Sequence, residues 1–155
     1  MRKILIGFIV FSSFLNAAVF DYRLYYGSSN RNEDNIFSYS SSVYSYFDES
    51  DFAYGVQLDF TNINKESSIK QYDFSAVLGY DFSRIFHGEI FVGGSSICYG
   101  STCYKGAVGG ATFLVQTNFD GYLEALQVGV SGKYANYEQG LDSERNLLLF
   151  IGFGF

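Results

Sequence analysis

Hydrolysis and group transfer need a nucleophile with a base in reach, most often a histidine. This chain of 155 residues has one histidine, His87. It falls beside a turn expected near 82–86 and reads as a surface or interface residue, not a base. The two cysteines, Cys98 and Cys103, are five apart with Tyr99, Gly100, Ser101 and Thr102 between them. In a hairpin with a four-residue loop they stand opposite each other at bridging distance, so a disulfide is expected. Two thiols and one distant imidazole do not make a four-ligand metal site. No catalytic residue, metal or cofactor is therefore assigned. What remains is a sparse set of charges: Asp21, Arg23, Asp59, Asp73, Glu89 and Lys133. Each sits in an alternation of apolar and small polar residues. Charges embedded that way must reach water or find one another.

The composition says which elements hold them. Aromatics make up 20% of the residues (14 Tyr and 17 Phe), while charges make up 17%. Average chains carry about 25% charge. There is no Pro and no Trp, and mean hydropathy is only +0.05. Such an aromatic load excludes a disordered chain. A net charge of −6 argues against nucleic acid, whose phosphates require a basic face.

The first residues read as an export signal. Arg2 and Lys3 precede an apolar run from Ile4 to Leu15, followed by Asn16, Ala17 and Ala18. A basic start, a short apolar core and small residues at the exit form the secretory pattern. The run is too short for a comfortable membrane span. Residues 1–17 are assigned to a signal peptide helix and residues 18–155 to one mature domain. Removing Arg2 and Lys3 lowers 10 basic residues to 8 against 16 acidic ones, a formal −8. Export also places the cysteines where a disulfide persists.

The mature domain alternates with period two, so successive side chains point to opposite faces of strands. Phe20, Tyr22, Leu24 and Tyr26 oppose Asp21, Arg23 and Tyr25. Phe52, Tyr54, Val56, Leu58 and Phe60 oppose Ala53, Gly55, Gln57, Asp59 and Thr61. Similar alternations run over 71–82 and 122–134. Segments 36–47, 86–98, 103–117 and 146–155 complete eight strands, the middle two ambiguous in phase. The connections are short and rich in Ser, Asn, Asp and Gly, as hairpin turns are. The expectation is all-β: an eight-stranded antiparallel up-and-down barrel.

Such a barrel can be water-soluble with an apolar inside, or inverted in a membrane. The polar face decides. A wet surface is dense in Lys, Glu and Asp, but here the polar face is mostly Gly, Ser, Ala and Gln. That suits a narrow lumen. The aromatics agree, for they form two girdles around Val56, Leu58, Ala76, Leu78, Val128 and Leu149, the arrangement expected of a membrane barrel. The chain is therefore expected in the bacterial outer membrane.

The carboxy-terminal segment supports this. Leu147, Leu149, Ile151, Phe153 and Phe155 share one face. The segment resembles the terminal strand that outer-membrane proteins present to the barrel assembly machinery. The eight-strand layout, together with Val77-Leu78-Gly79-Tyr80-Asp81-Phe82-Ser83, resembles small barrels of the OmpA-transmembrane-domain and OmpX type. The resemblance implies contact with outer-membrane lipid and lipopolysaccharide.

An eight-stranded lumen is just wide enough for its own side chains. Asp21, Arg23 and Glu89 fall in its periplasmic half, and Asp59, Asp73 and Lys133 in its outer half. Each set is expected to form an ion-pair cluster closing the lumen, so replacing Arg23 or Lys133 with Met is expected to raise conductance. The function expected is structural or surface-interacting and non-enzymatic. One alternative is a lipid A-modifying enzyme. The segment from Lys133 to Leu141 loosely resembles the motif region of the lipid A deacylases, but Lys133 stands where their His would be and Ala135 where their Ser would be. The other is a narrow cation-favouring pore, from four inward carboxylates against two cations. Glu138, Asp142 and Glu144 beside Arg145 could bridge to lipopolysaccharide through divalent cations, although a solvated loop is the simpler reading.

Overall fold

The computed structural model describes residues 19–154 apart from 31, 48–49, 65–68, 119–124 and 139. The assigned signal peptide and Phe155 lie outside the described residues. Eight strands follow one another: β1 (Val19–Ser29), β2 (Asn32–Tyr46), β3 (Phe52–Asn64), β4 (Ile69–Asp81), β5 (Phe86–Tyr99), β6 (Thr102–Asn118), β7 (Ala125–Tyr137) and β8 (Glu144–Gly154). Each pairs antiparallel with the next. β8 closes on β1, with Asp21 opposite Gly154 and Ser29 opposite Asn146. Closure leaves no strand edge unpaired, which hydrocarbon demands.

The period-two pattern sets the faces. On β1, Tyr22, Leu24 and Tyr26 are exposed while Asp21, Arg23 and Tyr25 are buried. On β4, Tyr72, Phe74 and Leu78 are exposed while Gln71, Asp73, Ser75 and Val77 are buried. Leu147 and Leu149 on β8 are about two-thirds exposed, at 66% and 64%. An apolar outside around a polar inside is stable only against lipid. The molecule is an integral membrane barrel of the outer-membrane type.

Three details depart from the sequence reading. The strands extend further at the end opposite Val19 and Gly154. β1 continues to Ser29 and β2 starts at Asn32, so the connection expected over 28–35 shrinks to two residues. Polar residues near the strand ends still satisfy their backbone by pairing, as Ser28 with Asn35 shows. The β5–β6 connection is also tighter than a four-residue loop. Tyr99 pairs with Thr102 across Gly100 and Ser101. Gly100 takes φ +60°, the left-handed geometry that a two-residue hairpin turn requires.

The third departure concerns the lumen, which is not lined by small polar residues alone. Tyr25, Tyr44, Phe91, Tyr137 and Phe150 point inward and pack with Val77, Val108, Leu114 and Leu148. Four of these aromatics stand opposite a glycine on an adjacent strand: Tyr44 with Gly55, Phe91 with Gly110, Tyr137 with Gly106 and Phe150 with Gly129. A side-chain carbon at Gly110 would lie 2.5 Å from the Phe91 ring, and one at Gly129 2.7 Å from the Phe150 ring. The glycines are the space into which the aromatics fit.

Candidate functional site

Two polar clusters cross the barrel axis. The first lies toward the end that holds Val19 and Gly154. Arg23, on β1, donates from Nη1 to Glu89 Oε2 at 2.6 Å and from Nη2 to Glu89 Oε1 at 2.5 Å. β1 and β5 are four strands apart in an eight-strand ring, so this bidentate pair spans the lumen. Nη2 also donates to Asp21 Oδ2 at 2.8 Å, and Nε to Gln127 Oε1 at 3.0 Å. Gln127 Nε2 returns to Asp21 Oδ2 at 3.0 Å. The guanidinium carbon lies 5.2 Å from the Phe150 ring centre and 5.9 Å from that of Tyr44. A planar, weakly hydrated cation suits both the fork and the ring faces.

The second cluster lies toward the other end, that of the β5–β6 hairpin. Lys133, on β7, donates to Asp73 Oδ2 at 2.6 Å and lies 3.8 Å from Asp59 Oδ2. Its ammonium also donates to Thr61 Oγ1 at 3.3 Å. Neutral side chains complete the set. Gln57 Nε2 donates to Asp59 Oδ1 at 2.7 Å, and Ser95 Oγ to Asp73 Oδ1 at 2.5 Å. Gln71 Nε2 donates to both oxygens of Asp73 at 3.0 Å. Beyond this cluster, Ile36, Ile63 and Ile97 are fully buried, and Tyr99, Tyr104 and Leu141 pack against the core to which they belong, so the end with the β5–β6 hairpin carries an apolar cap.

The six charges named from sequence are thus brought together in two groups of three. Their neutral partners Gln57, Gln71 and Gln127 were legible as inward by parity, but not as ligands of the charges.

Two residues were misplaced by the sequence reading. His87 is buried, not a surface residue. Its Nδ1 is hydrogen-bonded to Asp81 Oδ1, and its Nε2 lies 3.3 Å from Glu89 Oε1. The available signal was parity, since His87 and Glu89 are two apart on one strand. Glu144 is not in an acidic loop. It opens β8 with its side chain in the lumen, 0% exposed, and accepts from Asn146 Nδ2 at 2.6 Å. It shares the parity of Asn146 and Leu148.

Next to the first cluster is a cavity of about 30 Å³ bordered by Asp21, Tyr44, His87 and Glu89. Asp21 Oδ1 and the Tyr44 hydroxyl have no partner among the described residues. Polar walls and this volume are enough for an ordered water. Among the described residues no group of three or more His, Cys, Asp and Glu side chains is arranged to hold a metal ion. Cys98 and Cys103 are joined by a disulfide across the β5–β6 hairpin. Leu147, Leu149, Ile151 and Phe153 form an exposed row on β8.

A closed eight-strand antiparallel ring with a lipid-facing apolar surface and a polar, side-chain-filled lumen defines a small outer-membrane β-barrel. Solved structures share this fold. Neisserial surface protein A (NspA) is 15% identical, over 88% of this chain and 94% of that one, with a TM-score of 0.62. The N-terminal β-barrel domain of Pseudomonas aeruginosa OprF is 12% identical, over 88% and 97%, with a TM-score of 0.61. The outer membrane enzyme PagL is 16% identical, over 85% and 97%, with a TM-score of 0.58. No family model matches the chain, and no curated protein does.

Proposed function

We propose that the chain is a non-enzymatic barrel of the bacterial outer membrane with a structural or surface-interaction role and a closed lumen. The observation that carries this is the pairing of the lumen charges with one another across the axis. Arg23 is used by Glu89 and Asp21, and Lys133 by Asp73 and Asp59. Neither cation is left for a substrate or an ion path. One neighbour in fold is an enzyme, so fold alone does not decide. The local chemistry favours the non-enzymatic reading. His87 is committed to Asp81 and Glu89 inside the barrel, at the end opposite the β5–β6 hairpin. Lys133 and Ala135 face the lumen, out of reach of a lipid ester in the surrounding membrane. A nucleophile with a base beside it is missing from the described outward residues.

The same reading assigns the exposed row on β8 to recognition by the barrel assembly machinery, and the aromatic outer wall to membrane lipid and lipopolysaccharide. Lipid A analysis of cells with and without the protein is the test, alongside conductance in planar bilayers. Unchanged acyl chains and no channel steps are expected. A changed acyl pattern would establish an enzyme instead, and cation-selective steps a pore.

A further inference from the structure

The described strand residues of the lipid-facing wall carry almost no charge, and the exceptions share one sign and one level. Glu138, one residue past β7 and hydrogen-bonded through its backbone to Lys105, adds an exposed carboxylate at that level. Among the described strand residues whose side chains point away from the lumen, the charged ones are Lys70, Lys105 and Arg145. All three lie near the outer ends of their strands, on β4, β6 and β8. This occurs in a chain whose net charge is −6. A cationic rim on an acidic protein marks the level at which anionic headgroups meet the barrel.

One part of that rim adjoins a groove. Lys105 borders a trough of about 410 Å³ whose lining includes Leu58, Tyr72, Phe74, Gly94 and Ser96. Ser96 is the cross-strand partner of both Tyr72 and Lys105, and Gly94 that of Phe74. The cation therefore stands one step outward of the apolar trough. Lys70 lies beyond it on β4, opposite Cys98. Gly94 is not small for the sake of the barrel's own packing, because a side-chain carbon there would meet nothing within 4 Å. The space it leaves is open on the lipid-facing side of the sheet.

We propose that this trough seats one acyl chain of a phosphorylated glycolipid of the outer leaflet, the lipid A class, with its phosphate held by Lys105 and Lys70. The trough is continuous with the lipid-facing belt, which makes a hydrocarbon chain its occupant. The lysines supply the complementary charge at the depth of the headgroup. A second copy docking two-fold on this face would bring the lysines of both copies together, which like charges oppose. The proposal rests on the reading of the chain as an outer-membrane barrel whose β5–β6 hairpin lies at the opposite leaflet from the 82–85 turn.

Native mass spectrometry tests it on the full chain extracted from outer membranes in mild detergent. The same chain is then reconstituted in phosphatidylcholine vesicles containing either lipid A or phosphatidylglycerol. One retained lipid A is expected, with little phosphatidylglycerol. Lys70→Gln with Lys105→Gln should cut retention roughly 30-fold, from the usual contribution of two interfacial cations. Gly94→Leu, and Ser96→Leu as a second filling variant, should cut it by blocking the trough. Arg84→Gln, in the turn at the other end, should leave it unchanged. Wild-type retention in the double lysine variant or in both filling variants overturns the proposal, as does equal retention of phosphatidylglycerol. Heat-modifiable migration on gels verifies that each variant is folded. A wild-type chain without that shift, or absent from outer-membrane fractions, refutes the barrel reading itself.

Discussion

Arg23 and Glu89 are 66 residues apart in sequence and meet as a bidentate pair on the barrel axis, both fully enclosed. The pair connects opposite walls that share no backbone hydrogen bond. Glu89 is also shared with His87, which passes the contact on to Asp81 at the end of β4. A strut of this kind fixes which residues face one another across the lumen. It is weaker evidence for added stability, because desolvating both charges offsets much of their attraction.

That asymmetry predicts a specific mutational pattern. Arg23→Met leaves Glu89 and Asp21 buried without their cation and should cost roughly 3–5 kcal/mol. Glu89→Gln alone should cost less, since Asp21 still neutralises Arg23. Replacing Arg23, Glu89 and Asp21 together with apolar residues of similar volume should recover most of the loss. Urea unfolding in lipid vesicles, read as a thermodynamic cycle, measures all three. A triple variant as unstable as Arg23→Met would show that the cluster stabilises the fold outright.

Conductance depends on more than the charges. Arg23 lies between the Phe150 and Tyr44 rings, and Tyr25 packs on Phe150 with ring centres 5.0 Å apart. Lys133→Met alone, which the sequence reading expects to raise conductance, should therefore leave a planar bilayer at baseline, because the aromatic fill still blocks the lumen. Arg23→Ala combined with Phe91→Ala and Phe150→Ala should give ion-conducting steps. Steps from Lys133→Met alone would place the only barrier at the outer cluster.

Much of the barrel was legible because one observable, period-two alternation, determines both strand and face. Lys133, Asp59 and Asp73 could be assigned to one layer by counting along strands of known direction. The aromatic fill was not legible. Phe91, Phe150 and Leu148 are apolar residues on the inward parity, in segments where both faces are apolar or glycine-rich. Only the register shows Phe91 opposite Gly110 and Phe150 opposite Gly129. His87 was lost to the same ambiguity. The β5 phase is clear once Glu89 is taken as inward, and His87 then follows two residues earlier. Glu144 was lost because its strand begins before its apolar residues do.

The disulfide predicts a local effect. Cys98 and Cys103 bridge a hairpin already aligned by its own ladder, with Ile97 and Tyr104 turned inward to the apolar cap. The closed loop is short, so the constraint on the unfolded chain is worth roughly 2 kcal/mol. Cys98→Ser with Cys103→Ser should lower stability by about that amount and leave the heat-modifiable band in place. Amide exchange should rise over residues 97–105 and stay unchanged over 86–92. A global rise in exchange would show that the hairpin nucleates or clamps the whole barrel.

The orientation of the two faces is open to the most direct test. Ala76 lies mid-strand on β4, exposed, between Val56 on β3 and Val92 on β5. In a lipid-facing belt an arginine there must sit in hydrocarbon near the bilayer midplane, at a cost of roughly 2–4 kcal/mol. In a water-facing belt the same change would be nearly neutral. Ala76→Leu separates charge from bulk, and should be neutral or slightly stabilising in lipid. Its inward neighbour Ser75 gives the opposite contrast. Ser75→Leu adds volume to a filled lumen, where overpacking costs about 1–3 kcal/mol. Unfolding of the four proteins in vesicles, wild type included, should rank Ala76→Leu with wild type and both other variants below it. An Ala76→Arg protein as stable as wild type would mean that this wall does not face lipid.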